Sequence, residues 1–426
     1  MSTRVDQQRH FVSTYWIADH GEHVPIVDVV DNYARAAAEF DRWLADRIGV
    51  KYGPAHLLGI LLGGGVEPKN GSRFAGTPLS SGGMRIERLD PADTEVVRAC
   101  HAVLVAANAV DDPQEEPPMS LAMFSAYVSH KWPGDPSETW YVPGGSAGLD
   151  VPGEPVAGTC YIQLPDLENR DRAFVVVTVH PAYRRQGLGR VLIRHVAQRA
   201  GADGRSFLDA AVVVGSAGQA FARRLGAEPG LVDARRIIDL RKIEAGRFAA
   251  LRAGAAVYAV GYSLISWTGA TPPEERGRVA GVRNAMNDAP REEGWFEDDI
   301  WDADRVRDRA DMRVRFAGNR GYAVAAVADA TGEMAALTQV CVDPEFPAWG
   351  YQGITAVTRP HRGHRLGLLT KAAMLDWLVT AEPQLERIET TNASPNSHMI
   401  AVNEALGYEL AEPGFQFFAL QVSKAV

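Results

Sequence analysis

A six-residue phrase occurs twice in this chain. It reads "RRQGLG" at Arg184–Gly189 and "RGHRLG" at Arg362–Gly367, 178 positions later. Each copy follows an apolar run that ends near a proline, and each opens a second apolar run. A repeat with matched flanks demands two copies of one strand–loop–helix unit, and of the larger plan around it.

The flanks extend the match. Before and after the first phrase come a short strand at "MRIERL", a helix through "EVVRACHAVLVAAN", and strands at "ETWYV", "GEPVAGTCYIQL" and "RAFVVVTV". Then follow helix "GLGRVLIRHVAQRA", strand "SFLDAAVVV", helix "AGQAFARRLG" and strand "RRIIDL". Residues 243–262 read as a helix and a strand, and "TGATPPEERG" as a turn. The second series runs through a polar helical stretch at 276–315 and strands "GYAVAAVAD", "EMAALTQVCVD" and "GYQGITAVT". It closes with helix "RLGLLTKAAMLDWLVTA", strand "LERIETT", helix "NSHMIAVNEALG" and strand "FQFFALQV". The expected organisation is an α/β (α+β) chain with domains at 83–245 and 246–426. Residues 1–82 form an N-terminal extension, with helical spacing in "DNYARAAAEFDRWLADRIG" and a Gly/Pro/Ser-rich linker behind it.

Composition excludes other classes. A net charge of −9 argues against a general nucleic-acid binder. Three scattered cysteines, Cys100, Cys160 and Cys341, argue for a reducing cytoplasm and against a disulfide framework. No apolar run is long enough to span a bilayer, and the N-terminus lacks a secretory pattern. His20 and His23, with Glu22 between them, are too few for a metal site, and no metal is expected.

A loop of this kind leaves the first N–H groups of its helix unpaired and pointing at one spot, which the helix dipole makes attractive to an anion. Gly187 and Gly189 let a phosphate approach the backbone, and Arg184, Arg185 and Arg190 supply charge. Neither loop has the Gly-Lys-Ser/Thr of a nucleotide hydrolase, nor the third glycine of a dinucleotide fingerprint. A pyrophosphate loop for coenzyme A remains.

At this point the sequence resembles the GNAT superfamily of acyltransferases. Arg184-Arg185-Gln186-Gly187-Leu188-Gly189 matches its [RQ]-x-x-G-x-[GA] signature, and "VVVTVHPAYRRQGLGRVLI" resembles its fourth strand, loop and third helix. "ITAVTRPHRGHRLGLLTKAAM" resembles a variant seen in tandem GNAT proteins, with Arg365 in place of the middle glycine. The resemblance covers about residues 84–424. It implies two GNAT domains, each a mixed, mostly antiparallel sheet flanked by helices, and an N-acyltransferase using acetyl-CoA or another acyl-CoA. It also implies direct attack by a primary amine in a ternary complex. A thioester on an acyl carrier protein is the alternative donor, and a non-catalytic CoA-binding protein the other alternative. Monomer and homodimer both stay open, because two fused copies can supply internally the strand exchange through which the family often dimerises.

The resemblance also assigns residues. Donor contacts fall on Val177, Val179, Arg184, Arg185, Gln186, Gly187, Leu188, Gly189 and Arg190 in the first copy. In the second they fall on Val357, Arg362, Gly363, His364, Arg365, Leu366, Gly367 and Asn396. The family's N-x-x-A-x-x-x-Y motif becomes "NSHMIAVNEALGY" in the second copy, with Asn403 at the tyrosine position and Tyr408 nearby. The first copy places Gly215 and Ala222 there, so the usual tyrosine acid is missing from both, and the second copy is the better catalytic candidate. Glu389 is the expected base, with His180 and Asp209 in comparable places in the first copy. Trp295, Glu297, Asp298 and Trp301, in an acidic and aromatic segment, are expected to receive a small cationic amine such as a metabolite or an antibiotic.

Overall fold

The computed structural model describes residues 84–111, 116–130, 132–146, 154–288 and 296–425. The expected helical extension at 1–82, with His20, Glu22 and His23, lies outside the described residues. The first series runs β1 (Glu87–Arg88), α1 (Thr94–Asp111), α2 (Leu121–Ser129), β2 (Ser137–Pro143), β3 (Val156–Gln163), β4 (Arg172–Val179), α3 (Leu188–Ala202), β5 (Phe207–Val213), α4 (Ala217–Arg224) and β6 (Glu228–Asp239). The second runs α5 (Arg247–Ala256), β7 (Tyr262–Thr268), α6 (Arg276–Asn284), α7 (Met312–Ala317), β8 (Arg320–Ala328), β9 (Met334–Val342), β10 (Trp349–Val357), α8 (Leu366–Ala381), β11 (Arg387–Ala393), α9 (Ser397–Leu406) and β12 (Glu409–Gln421).

The polar stretch at 276–315 is not one helix. It stops at Asn284, restarts at Ala303 under an Asp302 cap, and passes through a π turn at Val306–Ala310 before α7. Buried Asp311 accepts from the N–H and hydroxyl of Thr271 at 3.0 and 2.8 Å. That bond ties the segment to the turn after β7.

The strands form one twelve-stranded sheet in the order β1-β2-β3-β4-β5-β12-β6-β11-β10-β9-β8-β7. The two series exchange their last strands. β12 pairs with β5 of the first series, and β6 pairs with β11 of the second. Antiparallel pairing prevails, with β4–β5 and β10–β11 parallel. The repeats thus share a continuous hydrogen-bonded sheet.

Side chains alternate between the two faces along the strands, as the pleat requires, and both faces are covered. In β8, Ala323 and Ala325 pack toward Val279 and Val282 of α6, whereas Tyr322 and Val324 pack toward Ala372 and Leu375 of α8. Those helices therefore cover opposite faces. In the first series Leu188, Leu192 and Val196 of α3 pack on Cys160, Ile162, Ala173 and Val175.

Arg235 on β6 fastens the exchange. Its fully buried guanidinium lies 3.0 Å from Glu116 of the first series and 3.4 Å from Glu389 of β11, over the Phe415 ring of β12. Removing one partner of a buried ion pair leaves an uncompensated charge. Arg235→Met is therefore expected to destabilise the chain by about 3–5 kcal/mol, read from urea unfolding. An unchanged midpoint would show that the sheet is fastened elsewhere.

Candidate active site

Both repeated loops leave their strand through a short 3-10 turn, at Pro181–Tyr183 and at Arg359–His361, and enter a helix. Both use left-handed backbone at the same two steps. In the first loop these are Arg185 (φ 66°) and Gly187 (φ 90°), and in the second Gly363 (φ 90°) and Arg365 (φ 53°). The second loop exchanges the order of glycine and arginine and keeps the backbone path. An arginine there costs roughly 1–2 kcal/mol. The Tyr258 ring, 3.7 Å from the Arg365 guanidinium, offsets part of that.

The first arginine of each loop braces it. Arg184 donates to the Val179 carbonyl and makes a bidentate pair with Asp111 at 2.8 and 2.7 Å. Arg362 donates to the Val357 carbonyl and to Asp288, which also receives Arg359. Each arginine thus spends its charge on a carboxylate of its own domain and holds the loop to the end of its strand. Leu188 and Leu366 are buried in the core and offer only their N–H groups. Arg185, Gln186 and Arg190 are exposed, as are Gly363 and His364. His364 leans on the Tyr258 carbonyl and the Tyr262 ring.

Beyond each loop the sheet splits. β4 and β5 pair only over Arg172–Phe174 and Phe207–Asp209, and β10 and β11 only over Trp349–Tyr351 and Arg387–Glu389. His180 and Thr358 send their N–H groups to β3 and β9. By alternation the N–H groups of Val177, Val179 and Val357 face the splits.

The two splits differ. β4 pairs with β3 without a register shift, whereas β10 carries one extra residue against β9 between Gln352 and Thr355. Such a bulge re-aims backbone groups. Gln352 repairs the ladder, donating to the Gln339 carbonyl at 2.6 Å and to the Thr338 hydroxyl at 3.1 Å. A cavity of about 500 Å³ opens here. Lys371 and Met399 line it from one face of the sheet, and Met286 and Phe296 from the other, so it passes through the split. At the first split, by contrast, Asp209 forms a buried bidentate pair with Arg172.

Residues 107–227 match the Acetyltransferase (GNAT) family. A tandem GNAT protein from the clavulanic acid biosynthesis pathway is 30% identical, over 80% of this chain and 98% of its own, with a TM-score of 0.66. The chain belongs to the GNAT family. A GCN5-related N-acetyltransferase from Sphaerobacter thermophilus shares the fold at 13% identity, over 80% of this chain and 96% of its own, with a TM-score of 0.51. No curated protein matches the sequence.

The GNAT frame locates the remaining residues. Asn396 caps α9 and lines the cavity. Asn403 is fully buried and donates to Asn392 at 2.7 Å, so it stands one residue behind the lining. Tyr408 is buried in the core of the second series, where burial raises its pKa, and it does not reach the cavity. Glu389 is also absent from the lining, and its carboxylate lies 3.4 Å from the Arg235 guanidinium. His180 caps the 3-10 turn, accepting from Ala182.

Glu297, Asp298 and Trp301 of the acidic segment do not line the cavity either. Glu297 and Asn169 exchange hydrogen bonds at 2.7 and 2.8 Å, fixing this segment to the β3–β4 loop. Trp301 lies between the guanidinium groups of Arg283 and Arg305. Asp298 is on the same stretch, and Trp295 lies outside the described residues. The neighbouring Phe296 is the residue that enters the lining.

Among the lining residues that escaped the sequence reading, two are ionisable. Asp233, on the exchanged strand β6, is the one carboxylate that lines the cavity among the described residues, and burial raises its pKa. Lys371 on α8 is the one amine in the lining among the described residues. It is 1% exposed, donates to Gln352 at 3.0 Å, and sits 4.7 Å from the Tyr408 ring centroid. Burial lowers its pKa to about 7.

Proposed function

We propose that the split between β10 and β11 is where this GNAT protein transfers an acyl group, from acetyl-CoA foremost, to the primary amine of a small cationic metabolite or antibiotic-like molecule. The observation that carries this reading is the cavity through the sheet, which joins the β10 bulge to the Asp233 carboxylate. The loop N–H groups of Gly363–Gly367 would hold the donor pyrophosphate, and Asn396 its pantetheine arm. Acyl-CoA supplies an activated carbonyl. A backbone N–H freed at Gly353–Ile354 polarises that carbonyl. Asp233 takes the proton of the attacking amine, and burial, by raising its pKa, makes its carboxylate a stronger base. Its negative charge also favours a cationic acceptor.

The first split has an unbulged β4 and the Arg172–Asp209 pair. It fits a site that binds CoA and braces the fold without turnover.

Native mass spectrometry with acetyl-CoA tests the assignment, on wild type, Gly189→Glu and Gly367→Glu. Both positions lie in the first turn of a helix, where an acidic side chain suits the helix dipole but repels a phosphate. Each variant is expected to lose one bound acetyl-CoA, and only Gly367→Glu is expected to lose acylation of a panel of small amines. Loss of that activity in Gly189→Glu alone would move the transfer site to the first split.

A further inference from the structure

The chain has 38 arginines and only six lysines: Lys51, Lys69, Lys131, Lys242, Lys371 and Lys424. Five stand in segments of mixed or polar character. Lys371 stands in "LGLLTKAAML", with apolar or small neighbours on every side, and the helix that carries it is buried nearly all round. An arginine in that place would be a permanent cation. A lysine buried there is an amine whose nitrogen can carry a free electron pair.

Its surroundings define what that amine can do. The ammonium has three donors, and a single hydrogen bond, to Gln352 Oε1, is seen for it. Gln352 is the residue that precedes the β10 bulge, and its own amide is committed to the ladder. The Lys371 nitrogen therefore sits beside the backbone proposed to polarise the thioester, inside the same cavity. The Tyr408 ring backs it on the protein side, and Asp233 is the one carboxylate in the lining among the described residues. The repeat supplies an internal contrast. By strand pairing Gln352 corresponds to Val175, and by the 178 offset Lys371 corresponds to Ile193, so the first copy has two apolar side chains where the second holds this polar pair.

We propose that Lys371 is a self-acylation site: in the absence of acceptor amine it takes the acyl group from the bound thioester and closes the cavity with an acyl-lysine. This inference rests on the proposed transfer site. Lys371 Nζ attacks the acyl carbonyl carbon, an N–C bond forms and the C–S bond breaks. The nitrogen sheds one proton, and coenzyme A leaves as the thiol carrying it. No oxidant or further reactant is needed. The amide product is neutral, occupies the space an acceptor would enter, and is not reversed by the enzyme's own chemistry. Acceptor amine and Lys371 thus compete for one acyl group.

The test is a tryptic map of the full chain after incubation with acetyl-CoA and no amine, run beside native mass spectrometry. Acetylation of Lys371 blocks cleavage there, so residues 366–387 appear as one peptide carrying an acetyl group. Modification is expected to reach most molecules at Lys371 while exposed Lys242 stays near background. It is expected to vanish in Gly367→Glu and to slow when an acceptor amine is added. Acetyl-CoA bound at the second loop with Lys371 unmodified overturns the proposal and leaves the transfer site standing. Equal labelling of Lys242 and Lys371, or labelling that survives Gly367→Glu, overturns it as solution chemistry. No acetyl-CoA bound at the second loop overturns both readings.

Discussion

Asp233→Asn is expected to lower the rate of amine acylation by about 10²–10⁴-fold, the usual worth of a positioned general base. The substitution keeps shape and hydrogen-bonding reach and removes only the capacity to take a proton. Acetyl-CoA binding, read by native mass spectrometry, is expected to stay at the wild-type level. The pH profile carries a second readout. Asp233 works as the carboxylate, and burial raises its pKa above the usual carboxylate range. Wild-type kcat/KM should therefore rise with pH through that raised value and then level. In the asparagine variant this acidic limb should disappear. A variant that keeps both rate and limb removes Asp233 from the chemistry.

Lys371→Met is expected to stabilise the chain near neutral pH. Burial lowers the Lys371 pKa from 10.5 to about 7 in the folded state. Between those values the unfolded chain binds a proton that the native chain does not, so wild-type stability rises with pH across this window. Below pH 7 both states are protonated and the penalty is complete. A shift of this size corresponds to about 5 kcal/mol. Methionine fills similar space but leaves Gln352 Oε1 without its donor, which costs about 1–3 kcal/mol. The net gain should be about 2–4 kcal/mol at neutral pH, from urea unfolding, and should shrink as pH approaches 10. A gap that does not vary with pH would mean that Lys371 stays charged in the fold.

The features legible in the sequence were local ones. The loop phrase reports its own backbone path, because left-handed steps and a helix start are set within a few residues. Strand and helix order follows from periodicity for the same reason. Strand partners are not local. "RRIIDL" and "FQFFALQV" would each satisfy either neighbour by pattern alone, so the exchange of β6 and β12 leaves no mark in their composition. Asp233 was illegible for that reason: it belongs to the first series by sequence and to the second cavity by topology. Glu389 carried the opposite signal. It sits on the expected strand, and the topology sets it against Arg235, from across the exchange. Lys371 did leave a trace, as the one charge among the residues 366–375 of a helix with no polar face.

The seating of β12 between β5 and β6 also sets a timetable for synthesis. The first series emerges from the ribosome with β5 lacking its neighbour, and that neighbour is encoded some 200 residues later. Until Gln421 has left the exit tunnel, β5 and β6 both present open hydrogen-bonding edges, the kind that recruit strands from other chains. Through that interval neither half can complete its sheet, and the two open edges are where mispairing with other chains begins.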